Sequence, residues 1–125
     1  MSHDIVADTL NMIKNAKKRS KNEIVATRYS KLLLNVLEIA KREGYIKSID
    51  LGKEGLKIRF DESLNDCNAI KPRYFVKKED IEKYVRRYLP ARDFGFIIVS
   101  TNKGLLTHKE AMKKEVGGCL VAYFY

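Results

Sequence analysis

Segment 100–104 combines hydrogen-bonding side chains with a positive charge and a glycine, and it follows the apolar run 96–99. Hydroxyl and amide groups can bond to the 2′-hydroxyls and base edges in the wide, shallow minor groove of double-helical RNA. A glycine lets another molecule approach the backbone closely. Ordinary turn formation is the alternative explanation for the same residue types. RNA reading is our leading interpretation of Ser100, Thr101, Asn102, Lys103 and Gly104.

The charge of the chain also favours a polyanionic partner. Its 25 Lys and Arg residues oppose 16 Asp and Glu residues, which gives a net charge of +9. Such an excess is typical of nucleic-acid binding, because each neutralised phosphate releases condensed counterions. The basic residues concentrate in segments 14–21, 28–31 and 71–92. A protein–protein adaptor that meets acidic partners is a second interpretation of the same charge.

Ser30 stands directly before a predicted helix. Its hydroxyl and the free N–H groups of the first turn can contact a phosphate at that position. The serine can also simply cap the helix, and the two roles are compatible because a capped, exposed N-terminus still attracts anions.

An enzymatic interpretation depends on Ser100 and His108, which could act as the nucleophile and base of a small hydrolase or transferase. The sequence has neither a Gly-x-Ser-x-Gly elbow nor an evident orienting acid. It also lacks a phosphate-binding glycine loop, a dinucleotide motif and a cluster of metal ligands. Cys67 and Cys119 are isolated and provide no disulfide framework. The residues therefore favour a protein without cofactor or metal, and the Ser100–His108 pair stays the enzymatic alternative.

The first part of the chain predicts two helices laid on a three-stranded sheet. Apolar residues at helical spacing predict helices over 4–18 and 30–43, and Gly44 ends the second helix. Strands are predicted at 23–27, 45–51 and 56–61, with a hairpin turn at 52–55. On the first helix, the apolar face holds Ile5, Thr9, Met12, Ile13 and Ala16, and the opposite, solvated face holds Lys14, Lys17, Lys18 and Lys21.

The second part predicts a mixed or antiparallel sheet with short helices. Strands are predicted at 67–70, 94–100 and 120–125, and helices at 78–88 and 108–115. Thr107 and Glu110 have the spacing of a capping box at the start of the last helix. The predicted fold class is α+β, with an N-terminal α/β subdomain over 1–64 and a C-terminal α+β subdomain over 65–125 that carries segment 100–104.

No apolar run reaches the roughly 20 residues that a membrane-spanning helix needs. The N-terminus has no basic region followed by an apolar core, as a secretory signal would. We therefore expect a cytoplasmic protein.

Several motifs, in this order and spacing, resemble the universal small-subunit ribosomal protein eight family over nearly the whole chain. Segments 71–74 and 87–95 resemble the archaeal and eukaryotic branch. The motifs are Asp4-Ile-Val-Ala-Asp8, Ser30-Lys31-Leu32, Glu43-Gly44-Tyr45-Ile46, Ser100-Thr-Asn-Lys-Gly104, Thr107-His-Lys-Glu-Ala111 and Val116-Gly-Gly118.

The resemblance implies a structural protein that binds a stem in the central domain of small-subunit ribosomal RNA early in assembly, beside other ribosomal proteins. It implies a monomer when free and, in some members, repression of the protein's own messenger RNA through a mimic of that stem. Asn102 departs from the family's commonest bacterial pattern, which has serine there. Transferred to this sequence, the implied RNA contacts are Ser100, Thr101, Asn102, Lys103, Gly104 and Gly118, with Ser30, Lys31, Arg28 and Lys14 gripping the backbone.

Overall fold

The computed structural model describes residues 4–71, 73–91 and 93–125. The chain forms two compact units, residues 1–68 and 69–125. The sequence instead places the limit between its two subdomains at 64/65, and that functional division stays a prediction. Pro72 and Arg92, which belong to the basic segment 71–92, lie outside the described residues.

The first unit has two helices and a three-stranded antiparallel sheet in the order β1-β3-β2. Asp4 caps α1 by accepting a hydrogen bond from the Ala7 N–H, and Gly44 follows α2 with φ 92°. Its elements are α1 (Ile5–Lys18), β1 (Glu23–Ala26), α2 (Lys31–Arg42), β2 (Ile46–Gly52) and β3 (Gly55–Phe60).

The buried face of α1 overlaps the predicted one at Thr9, Ile13 and Ala16, but Ile5 is only half-buried and Met12 is exposed. The structure buries Val6, Leu10 and Ile13, whereas Met12 is 41% exposed. The buried positions repeat every three or four residues, and position 12 lies about a quarter turn from position 13 on a helix of 3.6 residues per turn. The prediction that Met12 belongs to the apolar face was therefore wrong.

The second unit is built on an antiparallel sheet in the order β4-β8-β6-β7, with β5 also paired to β8. Ile97, Val99 and Leu120 form its core with apolar residues of α3 and α4. The elements from β4 onward are β4 (Cys67–Ala69), β5 (Phe75–Val76), a 3-10 turn (Lys78–Asp80), α3 (Ile81–Tyr88), β6 (Phe96–Thr101), β7 (Gly104–Thr107), α4 (His108–Lys113) and β8 (Gly118–Phe124).

The predicted α+β class is confirmed, with helices and two antiparallel sheets. The predicted capping box is present, because Thr107 accepts from the Glu110 N–H and Glu110 accepts from the Thr107 N–H. Two short strands, β5 and β7, were not predicted. A strand of two residues, such as β5, is too short to show an alternating pattern.

None of the helices in the described part of the chain is both long and apolar enough to cross a membrane.

Candidate nucleic-acid interface

Segment 100–104 forms the tip of a β-hairpin, and the unpredicted strand β7 stands between it and α4. Thr101 pairs with Gly104 across β6 and β7, which leaves Asn102 and Lys103 as the turn. The Thr101 Oγ1 donates to the Gly104 carbonyl at 2.8 Å and accepts from the Lys103 N–H at 3.0 Å. Because one hydroxyl bonds to both sides of the turn, the tip is held in one shape.

The side chains at this tip differ in what they have left to offer a ligand. A threonine hydroxyl has one proton and two lone pairs, so two bonds within the turn leave Thr101 a single acceptor position. Ser100, Asn102 and Lys103 are exposed. The hydroxyl of Thr101 therefore mainly shapes the turn, whereas Asn102 and Lys103 face solvent with their full bonding capacity.

Gly104 adopts φ 103°, a backbone conformation that side chains rarely allow. A Cβ at this residue would meet nothing within 4 Å. The glycine is therefore needed for its backbone angle and not for space. Without a side chain, it leaves the backbone of the hairpin tip open to a close approach.

Gly118 is required for the opposite reason, namely crowding. A Cβ on Gly118 would lie 2.8 Å from the carbonyl carbon of Ser100 and 3.1 Å from the Cα of Thr101. The glycine lets the start of β8 pack against the end of β6, just below the hairpin tip. Of the predicted site residues, the structure thus brings Gly118 together with Ser100 and Thr101.

A second candidate region is the N-terminus of α2. Ser30 has an extended backbone (φ −135°, ψ 166°), and its Oγ accepts from the Leu33 N–H at 3.2 Å. The first turn of this helix contains no acidic residue. Arg28 and Lys31 beside it are exposed. The positive end of the helix dipole and two cations therefore attract anions to the same place.

Lys14 and Lys17 do not belong to a solvated face, and the prediction that they do was wrong. The Lys14 ammonium lies 3.4 Å from a carboxylate oxygen of Asp66, and its side chain is 30% exposed. The Lys17 ammonium donates to the carbonyls of Asp61 at 3.4 Å and Glu62 at 3.1 Å. Both lysines hold segment 61–66 against α1, a role that helical periodicity cannot reveal because it depends on residues distant in sequence.

His108 has a structural partner on its ring. Its side chain is 2% exposed, and Nδ1 accepts from the Ile97 N–H at 3.1 Å. Burial, together with the charge of Lys109, lowers the pKa of His108 to about 4. Since Nδ1 is engaged by a backbone donor of β6, the histidine anchors the strand that ends in the hairpin.

The thiol of Cys67 is not an activated nucleophile. Burial and the nearby Asp66 carboxylate raise the pKa of Cys67 to about 12, so its thiol stays protonated. Over the ranges 4–71, 73–91 and 93–125, no group of three or more His, Cys, Asp or Glu residues could hold a metal ion.

Sequence reasoning missed Phe75 on β5. Its side chain is 77% exposed, and it borders a groove that also contains Ser100, Thr101 and Asn102. An aromatic residue within the basic segment 71–92 was the available signal. Its significance depends on strand pairing that the sequence does not show.

Comparison with known proteins identifies the family of this chain. The model of the family described as Ribosomal protein S8 matches residues 4–125. A protein of Nanoarchaeum equitans (strain Kin4-M), named small ribosomal subunit protein uS8, is 43% identical over 129 aligned positions that cover 100% of both chains. The protein of the same name from Thermoplasma acidophilum is also 43% identical over 100% of both chains.

A third relative with this name, from Desulfurococcus amylolyticus, is 46% identical over 98% of this chain and 97% of its own length. These archaeal relatives agree with the resemblance to the archaeal and eukaryotic branch, and they rule out the hydrolase interpretation of Ser100 and His108. The chain belongs to the ribosomal protein S8 family, whose members are structural, non-enzymatic components of the small ribosomal subunit in the cytoplasm.

Proposed function

We propose that this protein binds a stem in the central domain of small-subunit ribosomal RNA directly and promotes assembly of the subunit. The observation that carries the proposal is the hairpin tip, where the two bonds of Thr101 fix the turn and expose Asn102 and Lys103. Short polar groups on a rigid protrusion suit the shallow minor groove of an RNA helix. This tip supplies the selectivity for the stem.

The cations beside α2 supply most of the affinity. Arg28 and Lys31 are exposed next to the positive end of the helix, so they and the Ser30 cap hold backbone phosphates. Lys14 contributes less, because its ammonium already pairs with Asp66. Gly118 and Gly104 have no side chain that could bond to RNA. They contribute to binding by shaping the hairpin tip.

A titration at several salt concentrations tests this proposal, using the central-domain stem and a scrambled stem of equal length. We expect a strong preference for the native stem and an affinity that falls steeply with salt, since several cations displace counterions. Equal affinity for the two stems would reduce the protein to a nonspecific basic surface and would favour the adaptor interpretation. An affinity independent of salt would contradict the phosphate contacts.

Two substitutions separate the selective and the nonselective contacts. Asn102→Ala should lower the preference for the native stem by about 2- to 10-fold, the value of one or two net hydrogen bonds. Lys31→Ala should weaken binding to both stems about equally and reduce the salt slope by about one. Lys53→Ala is the matched control, because Lys53 is an exposed lysine in the turn of the β2–β3 hairpin. It should change neither quantity.

The same contacts lead us to propose that the free protein is a monomer and that a stem of the same shape in its own messenger RNA binds at the same tip. Binding of such a stem would repress translation by covering the message. Competition between the two RNAs, with Asn102→Ala weakening both, supports this extension. A messenger stem that binds the wild type and the variant equally would contradict it, and sedimentation of the free protein tests the monomeric state.

A further inference from the structure

Phe75 is the most exposed of the large hydrophobic side chains in the described part of the chain, at 77%. Removing an aromatic ring from water is favourable, so a ring left in water calls for an explanation. Phe94, the next aromatic in exposure to solvent on this unit, is 46% exposed and packs against the ring of Tyr125 with centroids 6.2 Å apart. The face of Phe75 has no such aromatic neighbour among the described residues.

The strand register places Phe75 on the same row as the hairpin. Phe75 pairs with Cys119 on β8, and Cys119 pairs with Ser100 on β6. Residues that are directly opposite each other across neighbouring strands share one face of the sheet. The ring and the Ser100 hydroxyl therefore flank a single small side chain on the same face.

Two consecutive glycines let the start of β8 pack closely against β5 on one side and β6 on the other, which brings the ring and the hairpin tip to the same place. A Cβ on Gly117 would lie 3.1 Å from the Cα of Lys77, just beyond β5, and Gly118 packs against Ser100 and Thr101 as described above. The result is a groove of about 280 Å³ with Phe75 on one side and the polar residues Ser100, Thr101 and Asn102 on the other. Val116 contributes a second apolar surface to it.

We propose that this groove binds one unpaired nucleobase of the RNA, with the base stacked on Phe75 and its edge hydrogen-bonded by the hairpin tip. The proposal rests on the proposed function and adds a base-binding subsite to it. An aromatic face beside hydroxyl and amide groups is the combination that recognises splayed-out bases of RNA loops and bulges. Each base has a π-face for the ring and polar edge atoms for Asn102 and Ser100.

Charge favours RNA over a protein segment as the occupant. Lys77 and Lys78 follow Phe75 and are exposed, and Lys103 is exposed at the hairpin tip. Phosphates on either side of a bound base would therefore meet cations, in a chain of net charge +9. An apolar protein segment would instead leave Ser100 and Asn102 facing it without hydrogen-bond partners, which is costly.

Tryptophan fluorescence can test the subsite, because the chain contains no tryptophan. Phe75→Trp creates a single reporter at the groove, and Phe94→Trp creates a matched reporter elsewhere on the same unit. We expect the native stem to bind Phe75→Trp as tightly as the wild type and to quench its emission by stacking. The emission of Phe94→Trp should change little.

A second pair of variants measures the energetic contribution of the ring. Phe75→Leu should lower the affinity for the native stem by about 5- to 100-fold, the usual loss when a base loses its aromatic partner. The salt slope should stay the same, because the ring neutralises no phosphate. Phe94→Leu should bind like the wild type. Since Phe75 is largely exposed, its loss leaves the core intact, and circular dichroism checks this.

The outcomes separate this inference from the proposed function. Suppose that the wild type prefers the native stem, but Phe75→Leu binds it as tightly as the wild type and Phe75→Trp is not quenched. The base subsite is then overturned, and contact with a neighbouring protein becomes the explanation for the exposed ring. If the wild type shows no preference for the native stem, the proposed function fails as well. Quenching together with the loss in Phe75→Leu supports the subsite.

Discussion

The two candidate contact regions use a hydroxyl in different ways. At the start of α2, the Ser30 Oγ accepts one backbone N–H and leaves the other N–H groups of the first turn open to an anion. At the hairpin tip, the Thr101 Oγ1 bonds to both Lys103 and Gly104 and thereby fixes the turn. The first arrangement attracts any phosphate, whereas the second presents one shape. Affinity and selectivity can therefore be changed separately.

Gly118→Val should have the largest effect on this comparison, because it damages the hairpin tip and leaves the N-terminus of α2 intact. The added side chain would collide with the backbone of Ser100 and Thr101, so β8 and β6 must separate below the hairpin tip. We expect the free energy of unfolding to fall by about 3 kcal/mol or more. Preference for the native stem should be lost, as measured by urea denaturation and the stem titration.

Gly44→Ala is the control for Gly118→Val. Gly44 also has a positive φ, 92°, but a Cβ there would meet nothing within 4 Å. This change should cost only about 1 kcal/mol of unfolding free energy and leave the preference for the native stem unchanged. Similar losses in the two variants would show that backbone crowding is not what holds the hairpin tip in place.

Acid should weaken the hairpin tip before it affects the N-terminus of α2. Burial lowers the pKa of His108 from about 6.5 to about 4, so between these values the unfolded chain takes up a proton that the folded chain refuses. The stabilisation is thus complete above pH 6.5 and is lost as the pH falls toward 4. We expect a loss of about 1 to 3 kcal/mol over this range. Urea denaturation at pH 7 and pH 5 measures it.

His108→Asn is the matched variant, because an asparagine carbonyl can accept the Ile97 N–H without titrating. Its unfolding free energy should depend less on pH between 7 and 5 than that of the wild type. The protection factor of the Ile97 amide, which allows for the intrinsic pH dependence of hydrogen exchange, should fall with acid in the wild type only. A pH dependence that is the same in both proteins would mean that other groups cause it.

Thr101→Val should have a smaller and more local effect. Valine keeps the shape of threonine but loses both hydrogen bonds of the turn, which costs about 1 to 2 kcal/mol of unfolding free energy. The loosened tip should lose preference for the native stem while its affinity for the scrambled stem stays unchanged. Thr101→Ser keeps the hydroxyl and should behave like the wild type. If Thr101→Val retains full preference, the fixed turn is not the source of selectivity.

Helix caps and tight turns were predictable from the sequence. The Ser30 cap, the capping box of α4 and the turn residues at 52–55 all follow from side chains within four positions of each other. The apolar spacing of α1 and α2 predicted the two helices. These features need only near neighbours in sequence, so one chain contains enough information to place them.

Features that depend on strand pairing could not be predicted. The row from Phe75 through Cys119 to Ser100 joins three strands that are 19 or more residues apart along the chain. The crowding at Gly118 and the bond from Ile97 to His108 also require the folded sheet. The residues of segment 100–104 were proposed from their chemistry, whereas the hairpin that presents them, and the ring beside it, appeared only in the structure.

The smallest expected effect separates the two roles of Ser30. Ser30→Ala removes the cap and should lower the free energy of unfolding by about 1 kcal/mol. Ser30→Asp keeps a strong cap and suits the helix dipole, so the folded protein should be as stable as the wild type or more so. The added negative charge would nevertheless repel a phosphate at the same N–H groups.

Ser30→Asp should therefore weaken binding to the native and scrambled stems alike, by about 2- to 5-fold, without loss of stability or of preference. Ser30→Ala should leave more affinity than Ser30→Asp despite being the less stable protein. This reversed order is the decisive result, because a serine that only capped the helix would make affinity follow stability. Affinities that rise from Ser30→Ala to Ser30→Asp would remove α2 from the RNA interface and leave the hairpin tip as the sole contact region proposed here.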